Sequence, residues 1–433
     1  MSKIEKFQMI DDDAPGIDSA YLAQDALLAR RTPLYDVLML DARARQSLVA
    51  VRSLGRRGRR VAALETYDGV PAFSSRWCQH KIVSPADEGS DDYLAFVEQV
   101  LDASGARVLI PASDGTIEVL RRHRERLERR VSIALAKEPG LGIAIDKEQT
   151  LAIASQLGLG IPRGVIVRNV GEVSMALREI GVPAVVKPTE SWIAGEDQGK
   201  RVASQLVTTP KEAVRAVEEL TSSGGSVLFQ QFLTGRREAL SFLYARGEFY
   251  ARFAQWAKHT DPPLGGTSVL RQSIAIPEDI GEQAERLIRT IDLEGYSEVE
   301  FRRDSAGTPY LMEINPRLSA SVEIAVRAGV DFPWLLYQWA NGERIDRVEG
   351  YRTGLWMRYL WGDIAATAAA VRERARPGVM SPAQALLDFC TFFLVPVKYD
   401  YLDWHDLLPM WTAIVGRGRG GMIRLSNALS RKK

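Results

Sequence analysis

Two strand-like runs, residues 295–304 and 308–317, constrain this chain more than any other feature. Ser305, Ala306 and Gly307 lie between them, and a glycine suits the positive φ that hairpin turns often require. A loop with an even number of residues centred on Ala306 and Gly307 sets Glu300 directly opposite Glu313 on one face. Like charges so placed destabilise a sheet. Asn315, two residues farther on, shares that face, and two carboxylates with an amide oxygen are hard donors suited to Mg²⁺. A cation there would remove the repulsion. The alternative, exposed acids facing water and Arg302 or Arg303, stays open at this level.

Upstream, a run at 35–40, helical spacing at 42–57 and a second strand at 60–64 predict a parallel βαβ unit. Helix 91–103, strand 107–111 and helix 115–130 extend it, so residues 34–140 read as an open α/β domain. Residues 141–345 read as a two-lobed α+β unit. Strands near 164–167, 183–188, 199–207 and 226–232 with short helices make one lobe; strands between 238 and 314, crossed by helix 281–291, make the other. Residues 1–33 are expected to be an arm with a short helix around 21–30, and 346–433 a C-terminal extension with a basic tail. A length of 433 residues agrees with about three domains.

Composition excludes several classes. Hydrophobic and charged fractions of 46% and 26% are those of a globular chain, and a net charge of +1 supplies no field to gather nucleic acid, which is not expected as a partner. The basic helix at 121–126 carries mixed signs and reads as a solvated face. Cys78 and Cys390 have no ligand or disulfide spacing, so a cytoplasmic setting is the default. Residues 1–16 lack an apolar core, so no secretory signal is expected. The apolar run 389–397 is too short to span a bilayer and is expected to be buried.

Lys187 ends an apolar strand at Pro188, where a lysine is ordinarily a solvated strand end, and a glycine-bounded loop, 195–199, that could close over a ligand follows. Lys147 stands in the first turn of a helix, where a cation opposes the macrodipole unless an anion is near.

In this order and spacing, Asp146-Lys147, Val185-Val186-Lys187-Pro188, residues 229–235, residues 237–242, Glu300-Phe301 and Glu313-Ile314-Asn315-Pro316-Arg317 make residues 146–343 resemble an ATP-grasp domain. The α/β domain before it resembles that family's N-terminal domain. Residues 261–269, 398–400 and 404–409 are similar to the carboxylate–amine ligases that include D-aspartate ligase.

The resemblance implies ATP and Mg²⁺ (or Mn²⁺) as cofactors, the metal on Glu300, Glu313 and Asn315. Lys147 and Lys187 would offset phosphate charge, the hinge Gln230, Gln231, Phe232 and Leu233 would meet adenine, and Glu238 would hold the ribose. Arg317, with Arg271, would steady the transferred phosphate as catalytic residues. Two departures stand out. Gln230 and Gln231 occupy a place where a carboxylate is common, and Ser191-Trp192-Ile193-Ala194 replaces a denser glycine loop.

The implied function is an ATP-dependent ligase joining a carboxylate to an amine through an acyl phosphate. Alternatives are an enzyme making carboxyphosphate or carbamoyl phosphate, or a nucleotide-binding module without catalysis. Expected substrates are small carboxylates and amines, among them an amino acid and a glycan- or lipid-linked acceptor, with a homodimer as the default assembly. His259, in a Gly/Pro-rich stretch, is expected to be a surface histidine, with a general base for the amine as the sharper reading. Trp356, Tyr359 and Trp361 are expected to pack in a return strand. From Gly416 onward there are six basic residues and no acid, read as a solubilising tail or a weak peripheral contact with an anionic membrane.

Overall fold

The computed structural model describes residues 34–416 except 190–191, 194–199, 202–203, 223–224, 264 and 375. The arm and its helix, most of the glycine loop and the basic tail lie outside the described residues.

The first domain holds a parallel sheet of order β3-β2-β1-β4-β5, with β1 Val37–Met39, β2 Val61–Glu65, β3 Cys78–Val83, β4 Val108–Ile110 and β5 Ser132–Ile133. Strands β1, β2 and β4 are buried throughout, as continuous apolar runs in a parallel sheet should be. Helices α1 Arg45–Arg56, α2 Asp91–Ser104 and α3 Asp114–Arg122 connect them. The long helix expected at 115–130 stops at His123, whose φ of −115° and ψ of 20° are not helical.

Helix α4, Lys147–Gln156, leads into a small sheet of order β8-β7-β9-β6, built from β6 Gly164–Val167, β7 Ala184–Pro188, β8 Gln205–Val207 and β9 Val227–Gln231. Helices α5 Val173–Glu179 and α6 Pro210–Thr221 share a core with Ala184, Val186, Val227 and Phe229. Strand alternation therefore turns Val185, Lys187, Leu228 and Gln230 to the other face, where Lys187 pairs with Leu228 and Val185 with Gln230.

The third sheet has seven strands in the order β14-β13-β10-β11-β12-β15-β16. They are β10 Arg237–Ala245, β11 Glu248–Asp261, β12 Thr267–Ile274, β13 Gly295–Arg303, β14 Pro309–Asn315, β15 Trp356–Arg358 and β16 Val397–Tyr399. Helix α7, Glu278–Thr290, joins Leu240, Phe242, Val299 and Phe301 in one core, so Arg237, Ala239, Ser241, Glu298 and Glu300 occupy the opposite face. Trp356 does stand in a return strand, β15, which pairs antiparallel with β12.

Helices α8 Leu360–Arg372 and α9 Pro382–Thr391 precede β16, and a last described helix covers 408–416. The run at 389–397 is not buried as expected: Phe393 is 54% and Leu394 88% exposed. The end of α9 lies on the surface, and Phe389 and Phe393 turn their rings onto the Arg358 guanidinium at 4.3 and 4.5 Å.

Candidate active site

The hairpin of β13 and β14 sets Glu300 opposite Glu313 and Glu298 opposite Asn315. The loop does not hold an even number of residues. Beyond Glu300 the register slips, Phe301 facing Leu311, so Met312 bulges and absorbs the odd residue. Gly307 closes the turn at φ 88°. The facing acids therefore survive a loop of the other parity.

Glu300 is buried, accepts from Arg237 Nη2 at 2.5 Å and from Asn315 Nδ2 at 3.2 Å, and still has its carboxyl pushed up to about 7. Burial is the largest cause, and the charges of Glu313 and Glu298 add to it against Arg237. Glu313 is more open, its side chain 32% exposed. Its partial burial pushes upward, but Lys147, Lys187 and Arg237 outweigh it and hold the carboxyl below the usual range. Glu298 is buried with its carboxyl raised by that burial, and accepts from Gln255 at 3.1 Å.

Two lysines converge on these acids. Asp146 caps α4 by accepting from the amides of Glu148 and Gln149, which fixes Lys147 in the first turn. The anion that offsets its unfavourable place on the helix is Glu313, 3.9 Å from Lys147 Nζ. The Lys147 amide donates to the Thr189 carbonyl at 3.2 Å, tying α4 to the end of β7. Lys187 is buried there with its ammonium held down to about 8, by burial first and then by Lys147, against the pull of Glu313 and Glu300. Arg317, just past β14, donates from Nε to Asp114 at 2.6 Å, joining the first domain to the site. Asp114, Glu118, Lys147, Glu313 and Asn315 line one pocket, which α3, α4 and β14 border together.

Gln230 lies on the Lys187 face of the small sheet, fully buried, and neither its amide oxygen nor its nitrogen has a partner among the described residues. Such a group costs about 1–3 kcal/mol unless a ligand pairs it. Gln231 is occupied: its Oε1 accepts from the Arg163 main-chain N–H at 3.4 Å, and its main-chain N–H donates to the Arg163 carbonyl. Phe232 is half-buried and Leu233 buried at the end of this strand.

Three expected residues stand differently. Glu238 points to the α7 face, away from Glu300, and its carboxylate is held by Arg303 at 2.8 Å and Arg236 at 3.1 Å. Arg271 shares the face of Glu300 but is fully buried and committed by both terminal nitrogens to Asp400, which also takes Arg45 of α1 at 2.9 Å. His259 is not on a surface loop. It lies in β11, bonds through Nδ1 to buried Asp363 at 2.7 Å, and has Nε2 3.6 Å from Asp388. No reacting group lies among those partners.

Sequence reasoning missed Arg237, Glu298 and Asp114. The parity of β13 could have found Glu298, two residues from Glu300 on the same face. Asp114 lies 203 positions from Arg317, and nothing local announces that pairing.

The donors fit a divalent cation and a polyphosphate. Among the described residues no cluster of three acidic, His or Cys side chains is gathered for a metal. The set is instead two facing carboxylates plus the Asn315 amide, with crowding at Glu300 that a cation would relieve. The orphaned Gln230 amide, on the lysine-bearing face, offers both a donor and an acceptor to a base.

Residues 266–361 match the family described as "ATP-grasp in the biosynthetic pathway with Ter operon". The D-alanine–D-alanine ligase of Geobacter sulfurreducens is 27% identical over 210 residues, 44% of this chain and 62% of that one. The carbamoyl phosphate synthase large chain of Methanoculleus marisnigri is 26% identical over 222 residues, 48% of this chain and 20% of the relative, so the match spans a fifth of that protein. Biotin carboxylase from Campylobacter jejuni, solved with a β,γ-ATP ligand, superposes with a TM-score of 0.60 at 15% identity, covering 74% of each chain. At that identity the likeness is one of fold.

Proposed function

We propose that this chain, an ATP-grasp protein by its fold, joins a carboxylate to an amine through an acyl phosphate, with ATP converted to ADP and phosphate. The observation that carries this reading is the pair of facing carboxylates, Glu300 and Glu313, on which Lys147, Lys187, Arg237 and Arg317 converge.

A carboxylate is a poor electrophile, and an amine does not displace its oxygen. Moving the γ-phosphoryl group to a substrate carboxylate oxygen releases ADP and creates a leaving group. The amine nitrogen then attacks the carbonyl carbon, phosphate departs, and the nitrogen loses a proton. Lys147 and Lys187 bind and offset the phosphates. Glu300, Glu313 and Asn315 would hold Mg²⁺ or Mn²⁺. A cation bound there neutralises charge on the transferring group. The Arg317 fork, oriented by Asp114, steadies the phosphoryl oxygens and the oxyanion. Gln230 reads the adenine edge, its oxygen accepting from the amino group, while the backbone from Gln231 to Leu233 borders the base. Arg271 acts at one remove, through Asp400.

The substrates are small molecules, an amino acid being the simplest carboxylate and a glycan- or lipid-linked amine the larger acceptor, and the assembly is a homodimer. Both cysteines, Cys78 and Cys390, are free thiols, which suits the cytosol, with peripheral contact at an anionic membrane surface through the C-terminal end.

The test is ADP release by the full chain with Mg²⁺ and ATP against pools of D- and L-amino acids and amines. Release that depends on the pool and falls roughly a hundredfold in Glu313→Gln supports ligation. Release driven by bicarbonate without an acceptor points to carboxyphosphate chemistry, and release equal in both proteins sinks the reading.

A further inference from the structure

A second pocket lies on the same face of the large sheet as the paired acids, on the far side of Glu300 from Lys147. Four strands place it. Gln255 of β11 stands opposite Ala239 of β10, Ala239 opposite Glu300, and Glu300 opposite Glu313, which has Lys147 beside it. Neighbouring strands lie about 4.8 Å apart, so the main chain at Gln255 is about 10 Å from that at Glu300 along this row. The small side chains of Ala239 and Ala257 leave room, and Arg237, Gln255, Glu298 and Glu300 wall it. A volume of about 230 Å³ is below the roughly 300–1,000 Å³ that drug-sized ligands fill, so the pocket suits a small molecule or one end of a larger one.

The walls are short of positive charge and of hydrogen-bond donors. Glu298 is 4% exposed, yet among the described residues its carboxylate has only neutral donors: Gln255 Nε2 at 3.1 Å and the Ser241 and Ser321 hydroxyls at 3.4 Å. An ionised carboxylate taken out of water without a countercharge costs several kcal/mol. Gln255, equally buried, has spent its nitrogen, which donates to Glu298 and, at 2.7 Å, to Ser321 Oγ. Only that end of an amide can donate, so the oxygen is the end left over, and Gln255 Oε1 has no partner among the described residues. Arg237, the cation in the wall, is already committed to Glu300 and to the Gly266 carbonyl. A carboxylate without a countercharge beside an amide oxygen without a donor is the complement of an ammonium group, which brings charge and three N–H donors together. A ligand carboxylate would set its charge against Glu298 and offer Gln255 Oε1 nothing.

We propose that Gln255 and Glu298 form a subsite for a positively charged nitrogen of a substrate, an ammonium group that donates to Gln255 Oε1 and to the Glu298 carboxylate. Calling its occupant a substrate rests on the ligase reading; the recognition of the nitrogen does not. The ammonium belongs either to the amine that attacks or to an amino acid whose carboxylate is activated. Because Glu300 lines the same pocket, the rest of either molecule lies beside the paired acids.

The experiment is ligand-observed NMR on the full chain with Mg²⁺ and ADP, using alanine, ethylamine and propionate as probes. Ethylamine is alanine without its carboxylate, and propionate is alanine without its nitrogen. Alanine and ethylamine are expected to bind in the millimolar range and propionate about tenfold more weakly. Glu298→Gln keeps the shape and removes the charge, and should weaken both nitrogen-bearing probes about tenfold while leaving propionate unchanged. Ala257→Leu, at a half-buried position, fills the pocket without touching the polar network and should weaken the same two probes, so the test stands if Glu298→Gln folds poorly. Alanine binding much more tightly than ethylamine assigns the nitrogen to an activated amino acid, and equal affinities assign it to the attacking amine. Propionate binding as well as alanine, no binding of either nitrogen-bearing probe, or unchanged binding by both variants overturns the subsite. So does a loss of Mn²⁺ affinity in Glu298→Gln as large as in Glu313→Gln, read by electron paramagnetic resonance, which would put the Glu298 carboxylate on the metal. Probe binding needs no turnover, whereas the ligase reading stands or falls on ADP release, so failure of one is visible apart from failure of the other.

Discussion

Two regions of this molecule set carboxylates against guanidinium and ammonium groups, with opposite electrostatic results. In the C-terminal clasp every acid is satisfied: Asp400 takes Arg45 and Arg271, Asp403 takes Arg56 and Arg327, and Asp406 takes Arg52. Burial pushes Asp400 up, but Arg271 and Arg45 outweigh it and hold the carboxyl low. On the hairpin face the acids crowd one another, with Glu300 pushed up to about 7 by burial and by Glu313 and Glu298, and a buried lysine nearby is held down to about 8. Charges that hold a fold together find their counterions inside it. Charges arranged for a ligand are left short of one.

The sharpest way to break this contrast is Asp400→Asn. It leaves two guanidiniums, one of them fully buried, without their anion, and removing one partner of a buried pair costs about 3–5 kcal/mol. Urea denaturation should show an unfolding free energy lowered by that amount, and Asp400→Glu should restore part of it. A loss within experimental error would mean that the clasp is dispensable and that Arg271 is free for the chemistry.

Lys187→Met should act in the other direction. A lysine whose folded value lies near 8, against an ordinary 10.5, is disfavoured in its charged form by the fold. The cost is present in full below about pH 8 and fades as pH rises toward the unfolded value, so stability of the parent protein should climb across that window. In the variant this climb should be absent. At neutral pH and without nucleotide, Lys187→Met should gain about 1–3 kcal/mol while losing most of its affinity for ATP. If instead it unfolds more easily, Lys187 is a structural cation paired with Glu313.

How much of this was readable beforehand follows from distance along the chain. Glu300 and Glu313 are 13 positions apart in one hairpin, and strand parity fixes their common face even though a bulge at Met312 changes the loop. Lys147 stood out locally, as a cation in the first turn of a helix, whereas Lys187 read by itself as a solvated strand end and took its expected role from the resemblance. The clasp was not legible, since Arg271 meets Asp400 across 129 positions and Arg52 meets Asp406 across 354, and three aspartates in a loop signal nothing about partners so far away. His259 was misjudged for the same reason. Pro262, Pro263, Gly265 and Gly266 follow it in sequence, but its neighbour in space is Asp363 of α8. The side on which Glu238 stands was not legible from parity alone. A strand shows which residues share a face but not which face the helix will cover, and α7 settled that by packing on Leu240 and Phe242.

Glu238 therefore gives the finest test of the comparison, because it carries a site residue's expected role in a structural residue's surroundings. Its carboxylate joins Arg236 to Arg303, and Arg303 also holds Asp279 of α7 at 2.6 Å. Glu238→Gln keeps the shape and removes the charge, so the network should weaken by about 1–2 kcal/mol, toward the lower end for hydrogen bonds to charged groups because the arginines are partly exposed. Affinity for ATP, read by equilibrium binding, should stay within about threefold of the parent, since hydrogen bonds remote from the ligand contribute little to it. A loss of tenfold or more with stability unchanged would place the carboxylate on the ribose when nucleotide is bound. The start of β10 would then have to turn over on binding, exchanging Arg303 for the sugar hydroxyls, and the line between the two kinds of charge would be one that the ligand itself moves.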